Sequence, residues 1–160
     1  MGYTIYLNGD KLDNLLLITH GRDDGIILAN TNADMIGPQE LNSNNSYAKS
    51  LLTLMSFVKD GGNVIFGSCY TGRTDAFGQT LHQLTDYRYN LFINNDYSSF
   101  KFTRNQNGSV NRNIKGPITS LNHYKYGWDY IKAGDNTSSI KNLRNVTISL
   151  KNDPIRLKEN

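Results

Sequence analysis

Two uninterrupted apolar runs, each halting at a chemically reactive residue, constrain this chain more than any other feature. Residues 14–19 read NLLLIT and stop at His20-Gly21, and residues 63–67 read NVIFG and lead into Ser68-Cys69. A strand with water on one face alternates apolar and polar side chains. One that is apolar throughout must be covered on both faces, as in a parallel sheet. Shorter runs of the same kind lie at 25–29 (GIILA) and 89–94 (YNLFIN). Between them, residues 46–59 place apolar side chains at 48, 51, 52, 55 and 58, which is helical spacing. Ser46 suits the N-cap, and Asp60-Gly61-Gly62 suits the end. Residues 74–85 set Phe77, Leu81 and Leu84 on one helical face. Strand and helix therefore alternate, which predicts a mainly parallel sheet with crossover helices.

The flanking segments read differently. Residues 3–8 (YTIYLN) suit a short strand closed by a Gly9-Asp10 turn, Arg22 to Gly25 a polar turn, and residues 30–45 a loop. Beyond residue 96, short alternating runs at 100–103, 124–131 and 146–150 predict antiparallel hairpins. The expectation is a single domain over 1–160, with an α/β core in 1–96 and a strand-rich remainder in 97–160. That length suffices for a core without covalent help.

Composition excludes several classes. One cysteine allows no intramolecular disulfide, and the scattered histidines lack zinc-ligand spacing, so no metal and no cofactor is expected. The net charge of +3 is spread without a basic stripe, so nucleic acid is not an expected partner. No apolar stretch approaches the roughly 18 residues of a membrane span. The N-terminus carries no secretory pattern, which fits a cytoplasmic chain or a domain of a larger protein. Asparagine is common, with no chemistry evident from the sequence.

His20 and Cys69 carry the chemistry. Sites in open α/β sheets form outside the carboxyl ends of the strands. If the two long runs are neighbours, imidazole and thiol enter one crevice, and the 49 positions between them accommodate one crossover. An ordinary thiol, with a pKa of about 8.5, is only slightly ionised at neutral pH; a neighbouring imidazole takes its proton, and a following helix N-terminus favours the thiolate. Gly21 lets its amide approach a substrate carbonyl and, with the Cys69 amide, form an oxyanion hole. Other nucleophile motifs fail. A tyrosine-phosphatase loop needs Arg where Asp75 stands, and no G-x-S-x-G, P-loop or G-x-G-x-x-G occurs. His82 reads as structural, His123 as a surface residue, and the aromatic stretch 124–130 as packing.

His20-Gly21 ending one apolar strand and Gly67-Ser68-Cys69 ending a later one resemble the clan CD cysteine peptidases: caspases, clostripain, gingipains and bacterial CHAT domains. The stretch GSCYTGRTDAFGQTLHQLTDYRYNLFINND is similar to bacterial caspase-like domains, and the resemblance covers residues 14–96. It implies a three-layer α/β/α fold and a cysteine endopeptidase acting on peptide or protein substrates, with self-processing as an option. Cys69 would be the nucleophile, His20 the base and acid, and Gly21 a partner of Cys69 in the oxyanion hole. Caspases and legumains carry Gln or Glu two positions before the cysteine, where Gly67 stands, so their P1 preference does not transfer. Asp96 is a candidate for lining that pocket, and Asp23 and Asp24 are further acidic candidates. The alternative is an inactive caspase-like interaction domain. Oligomeric state is left open.

Overall fold

The computed structural model describes residues 11–28, 34–95, 99–104, 110–115, 127–143, 146–150 and 155–159, with side chains for 11–28, 34–95 and 127–143. The strand expected at 3–8 lies outside them.

The chain is mixed α/β, built on a five-stranded mixed sheet. Strand β1 (Leu12–Leu17) is followed by three short strands, β2 (His20–Arg22), β3 (Gly25–Ile27) and β4 (Met35–Ile36), which form their own antiparallel sheet. Helices α1 (Pro38–Leu41) and α2 (Ser46–Met55) then lead to β5 (Val58–Phe66), α3 (Ala76–Leu84) and β6 (Asn90–Asn94). Strands β1, β5 and β6 are parallel neighbours. Next come β7 (Ser99–Arg104) and β8 (Val110–Lys115), then β9 (Trp128–Ile131), which returns antiparallel against β6 with β10 (Ile140–Leu143) beside it. Strands β11 (Val146–Leu150) and β12 (Ile155–Glu159) join β7 and β8 in a four-stranded antiparallel sheet, the hairpin pairing expected of this region.

The two faces of the main sheet separate cleanly. Leu15, Leu17, Val64, Phe66, Leu91, Ile93 and Ile131 pack with the buried residues of all three helices. The intervening positions Leu16, Ile65, Phe92, Trp128, Tyr130 and Leu143 form a second cluster. A chain that steps in one direction across a sheet by right-handed crossovers keeps its helices on one side. Here it steps from β1 to β5 to β6, so the three described helices share a face.

Local details depart from the sequence reading. The segment expected as loop over 30–45 contains β4 and the one-turn α1. Pro38 starts that helix, and the Glu40 carboxylate accepts from the Gly37 amide at 2.9 Å. Asn45 rather than Ser46 caps α2, accepting from the Tyr47 and Ala48 amides at 2.9 and 3.1 Å. Asp60-Gly61-Gly62 does not end α2, which stops at Met55. Those residues belong to β5, whose pairing with β1 shifts between Leu12 and Asn14. Gly61 takes φ +75°, a region favouring glycine, and donates to the Arg88 carbonyl at 2.8 Å.

One use of asparagine emerges on the second face. Asn14, Asn63 and Asn90 lie in register on β1, β5 and β6. The Asn63 amide donates to Asn14 at 2.8 Å, Asn90 donates to Asn63 at 3.2 Å, and Tyr130 Oη donates to Asn90 at 3.1 Å. This polar row spans four strands and opposes a slip, because shifting by one residue would break each bond and reverse both faces. No described helix is long and apolar enough to cross a membrane.

Candidate active site

The register that the asparagine row marks runs on to the strand tips. Asn14 pairs with Asn63 and Leu17 with Phe66. Beyond the strands, the Gly67 amide donates to the Leu17 carbonyl at 2.9 Å, and Thr19 Oγ1 and Ser68 Oγ share a hydrogen bond of 2.7 Å, again 49 positions apart. The next residues in this series are His20 and Cys69.

Gly21 gives an independent measure of the closeness. A Cβ built on it would fall well inside contact distance of the Cys69 carbonyl oxygen, 2.8 Å from Thr71 Oγ1 and 2.9 Å from Ser68 Cβ. The His20-Gly21 backbone thus lies directly on the turn that carries Cys69, and only glycine fits there. His20 is exposed and Cys69 half-buried.

The β2–β3 hairpin is closed by a two-residue turn, Asp23-Asp24, with Arg22 opposite Gly25 and Gly21 opposite Ile26. Arg22 and Gly25 can pair across so short a turn only by bonding each other directly. Alternation then makes Gly21 a non-hydrogen-bonded position, with its amide directed away from β3. Asp24, at φ 72°, accepts from the Phe77 amide at 3.1 Å. It therefore caps α3, the helix after Cys69, from 53 positions upstream. Asp23 pairs with Arg73 at 2.6 Å, and the Arg73 guanidinium lies 5.4 Å from the centre of the Tyr70 ring. Tyr70, directly after Cys69, takes φ 59°.

The structure therefore brings the Gly21 backbone, with His20 beside it in the chain, against the turn that carries Cys69. It engages Asp23 and Asp24 with Arg73 and the start of α3. Asp96 and His123 lie outside the described residues. His82 is buried and bonds Ser138 Oγ at 3.0 Å, and Trp128 is buried, as expected of structural residues. Among the described residues, no group of three His, Cys, Asp or Glu side chains is placed to hold a metal ion.

One residue near the site escaped the sequence reading. Asp129 is buried, and its Oδ1 accepts from Asn95 at 2.8 Å and Asn142 at 3.0 Å. A Cβ on Gly72 would meet Asp129 Oδ2 at 3.2 Å, so the turn after Cys69 closes over this carboxylate. The available signal was a lone acid within the otherwise apolar run WDYI. Comparison with protein-family models, curated proteins and solved structures finds no match for this chain.

Proposed function

We propose that this chain is a caspase-like cysteine endopeptidase using a Cys69–His20 dyad. One observation carries the reading: the Gly21 backbone rests on the Cys69 carbonyl at the tips of two in-register parallel strands. An exposed imidazole and a half-buried thiol at one strand edge suit a nucleophile and its base.

Chemistry follows from these parts. The Cys69 thiol passes its proton to His20 as sulfur attacks a peptide carbonyl. The oxyanion receives the amides of Gly21 and Cys69. Collapse of the tetrahedral adduct expels the amine, protonated by His20, and water then releases the acyl group. The finer architecture, a three-layer caspase-like fold, belongs to the same proposal. It is supported by the second face of the sheet, where Ile65, Phe92 and Trp128 are buried as a covered face requires. A second reading, an inactive interaction domain of this fold, draws on Asp23 and Asp24, which are committed to internal contacts rather than to a substrate pocket.

The test is active-site labelling. Chloromethylketone or acyloxymethylketone probes with varied P1 side chains should modify wild-type protein at Cys69, and His20→Gln should slow this strongly. Cys69→Ala should abolish labelling and peptide cleavage while retaining the wild-type melting curve. A native protein that resists every probe would leave the interaction domain as the reading.

A further inference from the structure

The acidic turn of the hairpin has a more specific part to play. Besides the Gly21 approach, side-chain contacts among the described residues join the β2–β3 hairpin to the segment that runs from Cys69 into α3. The Asp24 carboxylate receives the Phe77 amide, Asp23 pairs with Arg73, and Thr71 Oγ1 approaches the Gly25 carbonyl at 3.4 Å. The first is the strongest candidate for a positional constraint. It is part-buried and requires Asp24 to hold a left-handed backbone conformation that most side chains disfavour. The Asp23–Arg73 pair faces solvent and is worth little by itself. Asp24 lies four residues after His20 on a hairpin too short to flex far, and Phe77 lies eight residues after Cys69. One hydrogen bond thus links the element bearing His20 to the helix that follows Cys69.

We infer that Asp24 is a positioning residue: by capping α3 from the hairpin, it sets His20 against Cys69. This rests on the dyad reading above, and the experiment separates the two. The probe is iodoacetamide, a small neutral alkylating agent that needs no peptide-binding pocket, and the readout is the rate of Cys69 alkylation from pH 5.5 to 9. Asp24→Gly removes the carboxylate and suits φ 72°, so the hairpin keeps its turn. Asp24→Asn keeps an acceptor and tolerates the same backbone. Asn45→Ala removes the cap of α2, an equivalent loss on a helix away from the site.

His20→Gln is expected to slow alkylation near pH 6.5 about tenfold, through loss of the neighbouring base. Asp24→Gly should slow it by a similar factor and reshape the pH profile in the same way. The double variant should be no slower than His20→Gln alone. Asp24→Asn should restore the wild-type profile, and Asn45→Ala should leave it unchanged while lowering the melting temperature. Should Asp24→Gly melt below the assay temperature, the rates of all variants are read in the cold, where its melting curve shows it folded, and by the same criteria.

A His20-dependent profile unaltered by loss of the clamp overturns the inference and leaves the dyad standing. A profile indifferent to His20 overturns the dyad and, with it, the positioning role.

Discussion

Glycine 21 is the residue on which the candidate site turns, because it has no side chain. Its backbone lies on the Cys69 carbonyl, and the proposed pairing of the adjoining His20 with Cys69 depends on that close approach. Gly21→Ala should therefore destabilise the fold by about 1–3 kcal/mol, the usual cost of overpacking, since backbone rather than a flexible side chain blocks the new methyl. It should also suppress probe labelling of Cys69 in protein that is still folded. Urea melts paired with labelling measure both, and an alanine variant with wild-type stability and labelling would refute the contact. His20, Gly21 and Cys69 could be singled out as candidates in the sequence because each stands at the end of an apolar run. Asp23 and Asp24 were legible only as acids. What they bond to lies 50 and 53 positions away, and no local pattern encodes that.

At the scale of elements, the polar row on β1, β5 and β6 fixes what periodicity cannot. Apolar runs identify a strand but tolerate many registers. Asn63 both donates to Asn14 and accepts from Asn90, so Asn63→Ala removes two part-buried hydrogen bonds at once. A loss of about 1–2 kcal/mol is expected, at about 1 kcal/mol or less for each bond. Denaturant unfolding would measure it, and an unchanged midpoint would mean the row contributes nothing to register. Helix α2 was evident from its spacing, although its cap lay one residue earlier than Ser46. The one-turn α1 was hidden by polar composition, because a helix of four residues has no periodicity to read. The start of β5 was hidden for the opposite reason: Lys59, Asp60 and Gly61 are exposed residues on a strand whose register shifts there.

For the whole molecule, a buried histidine ties the α3 end to the β9–β10 connection. His82 on α3 bonds Ser138, and the Tyr87 ring stands edge-on at 5.3 Å. Burial lowers its pKa below the ordinary 6.5, outweighing the attraction of Asp135 and hydrogen bonds to the backbone at Tyr89 and Lys132. Between the folded value and 6.5, the unfolded chain binds more protons than the folded one, so stability rises with pH there. The contribution is complete above 6.5 and is lost as pH falls through the folded value. Thermal melts of wild type and His82→Gln at pH 5 to 8 should therefore converge toward the acid end. A constant gap between the two would show that His82 does not titrate across this range. At the alkaline end, burial raises Tyr89 above 10.0, and its ionisation opposes folding as pH climbs through that region.

What the sequence determined by itself was the kind of element at the long apolar and periodic segments: β1, α2, the end of β5, α3 and β6. Apolar runs specify buried strands, 3.6-residue spacing specifies helices, and neither needs a partner to be recognised. What only the tertiary structure decided was pairing: the shared register of β1 and β5, the common face of the helices, and the capping of α3 by Asp24. The reason is physical. A periodic pattern reports which side of an element meets the core, whereas a hydrogen bond between residues about 50 positions apart exists only once two strands have chosen one alignment among several.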